Sequence, residues 1–101
     1  MVLEIAMLDV KDGQDGEFEA ALAQAAPLLT GMPGFLGYEL HRGVEDPNRY
    51  ALLVRWRTLE DHTRGFRGSP QHQEWRRLLT PFYSGAPVVA HFRPITAGAP
   101  A

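Results

Sequence analysis

The order in which two hydrophobic periods alternate along this chain constrains its fold more than any other feature. Residues 2–10, 35–42, 50–57 and 88–95 carry their apolar side chains in steps of two, while residues 14–30 and 58–82 carry them in steps of three and four. Steps of two place side chains on alternate faces of a strand, and steps of three and four collect them on one face of a helix. The chain therefore reads as strand, helix, strand, strand, broken helix, strand. Two strand–helix–strand units of this size form a four-stranded antiparallel sheet with helices on one face, a ferredoxin-like α+β architecture.

Local signals support each boundary. In the first strand Leu3, Ile5 and Met7 alternate with Glu4, Ala6 and Leu8, so at least half of it is buried, and Asp12-Gly13 breaks it. The first helix carries Phe18, Leu22, Ala25, Leu29 and Met32 on one face, with Asp15, Glu17 and Glu19 at its start, where the helix dipole favours negative charge. Pro27 lies inside it and removes one backbone hydrogen bond, and Gly31 and Pro33 end it. Thr58 and Asp61 have capping-box spacing. Gly65 and Gly68 interrupt the second helix, and Ser69-Pro70 restarts it. In the third strand Tyr50, Leu52, Val54 and Trp56 share one face, suited to the helices. Ala51, Leu53, Arg55 and Arg57 share the other, suited to a symmetric partner.

At 101 residues the chain is one domain, expected over 1–95 with a flexible tail at 96–101. A net charge of -2 with both signs interspersed gives no electrostatic footprint for nucleic acid. The absence of cysteine excludes disulfides, thiolate metal sites and cysteine nucleophiles. No segment has the length of a membrane span or the pattern of a leader, so no membrane partner and a cytoplasmic location are expected. No phosphate-binding glycine loop, dinucleotide fingerprint or serine–histidine–acid set is present.

Several motifs in order narrow the fold further: Met32-Pro33-Gly34-Phe35 between helix and strand, the third strand ending in Trp56 and entering a capped helix with His62 and Phe66, Ser69-Pro70 before an amphipathic helix, and Pro87 with His91-Phe92 in the last strand. Together they resemble the antibiotic biosynthesis monooxygenase (ABM) superfamily over roughly residues 3–94. The resemblance implies a homodimeric α+β barrel. It also implies a cofactor-independent monooxygenase that oxidises an aromatic quinol or polycyclic phenol with molecular oxygen, using neither cofactor nor metal. In the polyketide-oxidising branch a tryptophan, an asparagine, a tyrosine and an arginine line the pocket. The matching positions here are Trp56, Leu52, His62 and Arg76, so two match, one is exchanged for another hydrogen-bonding group, and one is lost. In the haem-degrading branch the working positions correspond to Ala6, Gly65 and Trp75, none of which matches.

The candidate residues follow. His62 shares a helical face with Leu59 and Phe66, which turns it inward. It is either a hydrogen-bonded structural histidine or the pocket base, with a pKa at or below the free value of about 6.5 because burial disfavours its charged form. Arg76 reads either as a surface or interface ion-pair residue or as one that stabilises a phenolate or enolate, and a nearby Arg76 would lower His62. Trp56 reads either as a core or pocket-wall tryptophan or as one that offers its ring face and indole N–H to the substrate, with Leu52, Phe66, His72 and Trp75 completing the wall. His41 and His91 are strand residues whose spacing asks for no metal. The same pocket also fits a barrel that sequesters a small aromatic molecule without turnover, a reading favoured by Leu52.

Overall fold

A computed structural model describes residues 1–101. Strands β1 (Val2–Asp9), β2 (Phe35–Arg42), β3 (Arg49–Trp56) and β4 (Val88–Phe92) form one antiparallel sheet in the order β2-β3-β1-β4. Helices α1 (Asp15–Thr30) and α2 (Pro70–Leu79) pack against each other as the crossovers of the two strand–helix–strand units. This is the ferredoxin-like arrangement that the periodicity predicts. β4 stops at Phe92, short of the expected residue 95, with Pro94, which has no N–H to extend a ladder, soon after it.

The core lies between the sheet and the helices. Phe18, Leu22, Ala25 and Leu29 of α1 are buried, and Pro27 sits within that helix without ending it. From β3 the same core takes Tyr50, Leu52, Val54 and Trp56. In β1 the buried face is Glu4, Ala6 and Leu8, while Leu3, Ile5 and Met7 are half-buried on the outer face. That parity sends a carboxylate inward. The register places Val2 opposite Trp56 and Glu4 opposite Val54 on one side and His91 on the other.

The Met32-Pro33-Gly34-Phe35 junction depends on Gly34, whose φ of +82° lies in the left-handed region. A Cβ there would strike the Asp61 carboxylate. That carboxylate is in use: Asp61 accepts from the Thr58 N–H at 3.2 Å, and the Thr58 hydroxyl accepts from the Asp61 N–H at 3.1 Å. The segment this capping box opens is wound as a π-helical turn over Asp61–Phe66, wider than the α-helix its spacing predicts. Both buried residues of the turn, His62 and Phe66, point inward. Ser69 then joins this turn to α2. Its hydroxyl donates to the Phe66 carbonyl at 2.6 Å and accepts from the His72 N–H at 3.1 Å. Phe82, expected at the end of the second helix, falls in a 3-10 turn, Thr80–Phe82, wound around Pro81.

Candidate functional site

A cavity of about 550 Å³ opens between the sheet and α2, within the size range of small-molecule sites. Its floor is the inner sheet face, with Glu4, Ala6 and Leu8 from β1 and Leu52 and Val54 from β3. Its wall is the π-turn and α2, which contribute His62, Phe66, Arg67, His72, Trp75 and Arg76. Tyr83 and the turn before β4 complete the rim. The structure thus brings six of the seven expected residues to one cavity: His62, Arg76, Leu52, Phe66, His72 and Trp75.

Trp56 is the exception. It is fully buried behind the floor, and its indole N–H donates to Glu4 Oε1 at 2.9 Å. Of its two readings the core one matches this placement, and the indole N–H reaches Glu4 instead of a substrate. The Trp56 ring stacks on His62 with centroids 5.4 Å apart and planes 16° apart, so it supports the imidazole.

His62 makes a hydrogen bond at one ring nitrogen and has a carboxylate oxygen near the other. Nε2 stands 3.4 Å from Glu4 Oε1, and Nδ1 lies 2.8 Å from His91 Nε2. Burial is the main reason its pKa falls to about 3, reinforced by the positive charge of Arg67 and by His91 and His72. The imidazole is neutral throughout the physiological range. The arginine acting on it is Arg67, whereas Arg76 acts on His72. The expected influence of Arg76 on His62 is corrected accordingly: Arg76 projects from α2 beside His72, and Arg67 closes the π-turn next to His62.

Glu4, Arg67 and Tyr83 join the site without a role expected from sequence, and His91, noted there as a strand residue, lies behind His62. Burial raises the Glu4 carboxyl above its ordinary range, against the pull of the Trp56 N–H and the Arg67 charge. Burial likewise pushes Tyr83 up to about 12. His72 is lowered by burial and then by Arg76 and Arg67, and its ring meets the edge of Phe66 at 5.0 Å. The arginine ion pairs of the chain are made by Arg42, Arg49, Arg55 and Arg77, which leaves both cavity guanidiniums free for a ligand. The strand parity that groups Glu4 with Ala6 and Leu8 was the available signal for Glu4. A single polar residue in an apolar stripe would have carried it.

Comparison with known proteins places this geometry. The family model for antibiotic biosynthesis monooxygenase matches residues 1–78. The uncharacterized protein YczJ of Bacillus subtilis is 50% identical over 95 residues, covering 94% of this chain and all of its own. A mycobilin-producing heme oxygenase of Mycobacterium tuberculosis is 34% identical over 59 residues, 58% of this chain and 56% of that one. A crystal structure from Bordetella bronchiseptica, assigned to the same monooxygenase class, superposes with a TM-score of 0.91 at 40% identity, covering 94% of this chain and 97% of that one. SnoaB of Streptomyces nogalater, a cofactor-independent oxygenase, superposes with a TM-score of 0.83 at 21% identity over 95% and 94% of the two chains. The chain is a member of the antibiotic biosynthesis monooxygenase family.

Proposed function

We propose that this protein is a cofactor-independent monooxygenase acting on an aromatic quinol or polycyclic phenol within the cavity. The observation that carries the reading is the composition of the wall. Apolar and aromatic surface suits a flat ring, and two unpaired guanidiniums with neutral imidazoles at the same site suit the anion that ring forms on losing a proton. Family membership and the fold shared with SnoaB support the same class of chemistry.

For a polycyclic phenol in its keto form, loss of a ring C–H proton leaves an enolate. The enolate passes one electron to oxygen, and the substrate radical and superoxide combine through a new C–O bond. The peroxide anion takes up the proton. A second C–H proton then leaves as the O–O bond breaks and the carbonyl forms, and the departing hydroxide takes that proton to become water. The substrate CH2 becomes C=O, one oxygen atom enters the product and one leaves as water, and the substrate supplies all the electrons. Arg76 and Arg67 stabilise the enolate oxygen, and Phe66 and Trp75 hold the ring. His62, the candidate base from sequence, has too low an affinity for a proton to store one. Its neutral ring serves instead as a hydrogen-bonding group.

The outer sheet face supports a homodimer. Leu3, Ile5 and Met7 are half-buried there, Val88 and Phe92 are exposed, and Arg55 pairs with Glu39 at its edge. A second copy covering that face would complete the barrel.

Oxygen uptake with a panel of hydroquinones and anthrone, measured on chelator-treated protein, tests the proposal. Saturable uptake above the protein-free rate with formation of the quinone is the expected result. Leu52, apolar where the family's polyketide-oxidising members carry asparagine, favours a second reading. Saturable binding of the panel without uptake would establish that reading, a sequestering barrel. Reductant-dependent breakdown of bound haem would instead move the chain to the haem-degrading branch.

A further inference from the structure

We infer that Glu4 is the catalytic base of this cavity, and that His91, on the far side of His62, is the positioning residue that fixes how His62 addresses it. The inference rests on the oxygenase reading for its substrate, but its geometry stands on three contacts. Glu4 projects from β1 into a floor otherwise made of Ala6, Leu8, Leu52 and Val54. A carboxylate so placed is costly unless it is hydrogen-bonded. The Trp56 N–H and His62 Nε2 both converge on Oε1. Oε2 accepts no hydrogen bond from the chain, so it is the oxygen left for a ligand proton.

One proton arrangement fits all the contacts to an ionised Glu4. An ionised Glu4 with Oε1 3.4 Å from His62 Nε2 favours the proton on that nitrogen through its charge. His62 Nδ1 must then accept, so His91 Nε2 donates across the 2.8 Å contact. His91 does not line the cavity. It lies in a separate shallow pocket with Val2, Leu59, Phe92 and Arg93. Without the His91 donor, His62 is free to move its proton to Nδ1 and turn a lone pair toward the carboxylate. Glu4 would then hold its own proton more tightly. The other charged or titratable groups around the pair are Arg67 at the end of the π-turn, His72 and Arg76 on α2, Tyr83 at the cavity rim and Arg93 beside His91. Burial raises the basicity of Glu4 while it removes that of His62, so the two trade the roles that residue type alone would give them. In the step itself, Glu4 Oε2 takes the ring C–H proton, the electron pair stays on the substrate as the enolate, and the proton returns to the peroxide anion.

Anaerobic exchange of the anthrone ring methylene with deuterium oxide isolates that step from oxygen chemistry. The unaltered protein should accelerate exchange. Glu4→Gln keeps an acceptor for Trp56 and should lose about 100-fold or more of the acceleration, with anthrone binding retained. Exchange should rise with pH through the Glu4 midpoint. His91→Leu should move that midpoint to higher pH, and His91→Gln, which restores a donor, should bring it back. Nitrogen-15 spectra of the unaltered protein should show His62 protonated at Nε2, a result independent of how any variant folds. No acceleration by the unaltered protein, wild-type exchange in Glu4→Gln, or a His62 proton on Nδ1 would overturn the inference. Glu4-dependent exchange without oxygen uptake keeps it and removes the oxygenase reading. Oxygen uptake without Glu4-dependent exchange does the reverse.

Discussion

Replacing His62 with glutamine should flatten the acid side of the protein's stability curve. His62 titrates near 6.5 in an unfolded chain and at about 3 in the fold. As pH falls, the unfolded chain takes up this proton first and is favoured by it. The contribution of neutral His62 is therefore complete above 6.5 and is lost as pH falls toward 3. Between pH 7.5 and 4.5 the native imidazole stays neutral while the unfolded one becomes charged, which amounts to at most roughly 3 kcal/mol. His72 and His91 are also lowered and act in the same direction, while Glu4, raised by burial, acts in the opposite one. These groups remain in the variant, so the informative quantity is the difference between the two proteins. Urea unfolding at pH 7.5 and 4.5, with unchanged slope, reads it. The unaltered protein should lose about 2–3 kcal/mol more than His62→Gln over that interval. Equal losses would refute the reasoning that His62 is held neutral by its burial.

Two further outcomes follow from the fold and its outer face. Gly34→Ala should destabilise the protein by about 1–3 kcal/mol in urea unfolding, because it strains a left-handed backbone position and drives a Cβ into the Asp61 carboxylate. Sedimentation at micromolar concentration should show a dimer that Leu53→Glu, on the outer face of β3, converts to monomer.

The fold was legible because strand and helix periods alternate cleanly. Phe18, Leu22, Ala25 and Leu29 fall on the buried stripe of α1, as their spacing predicts. Thr58 with Asp61, and Ser69 before Pro70, cap as their residue types demand. The π-winding of 61–66 was not legible, since His62 and Phe66 lie four apart, a spacing that reads as an ordinary helical turn. The cavity wall was legible on α2, where His72, Trp75 and Arg76 stand within one turn and a half. The roles of Glu4 and His91 were not legible for a different reason. Each is unremarkable on its own strand, and only the pairing of β1 with β4 and the insertion of His62 beside them create the site. Trp56 was placed on the correct face, but sequence could not show that Glu4 would take its N–H.

Isotope tracing under oxygen-18 gas follows both oxygen atoms through the proposed reaction. With anthrone as substrate and chelator-treated protein containing no flavin, haem or reductant, one labelled atom should appear in the new carbonyl of the quinone and the other in water. The label should accumulate at a rate that saturates with substrate and depends on folded protein. A product whose new oxygen comes from water, or labelled product forming no faster than in the protein-free control, would contradict that reaction.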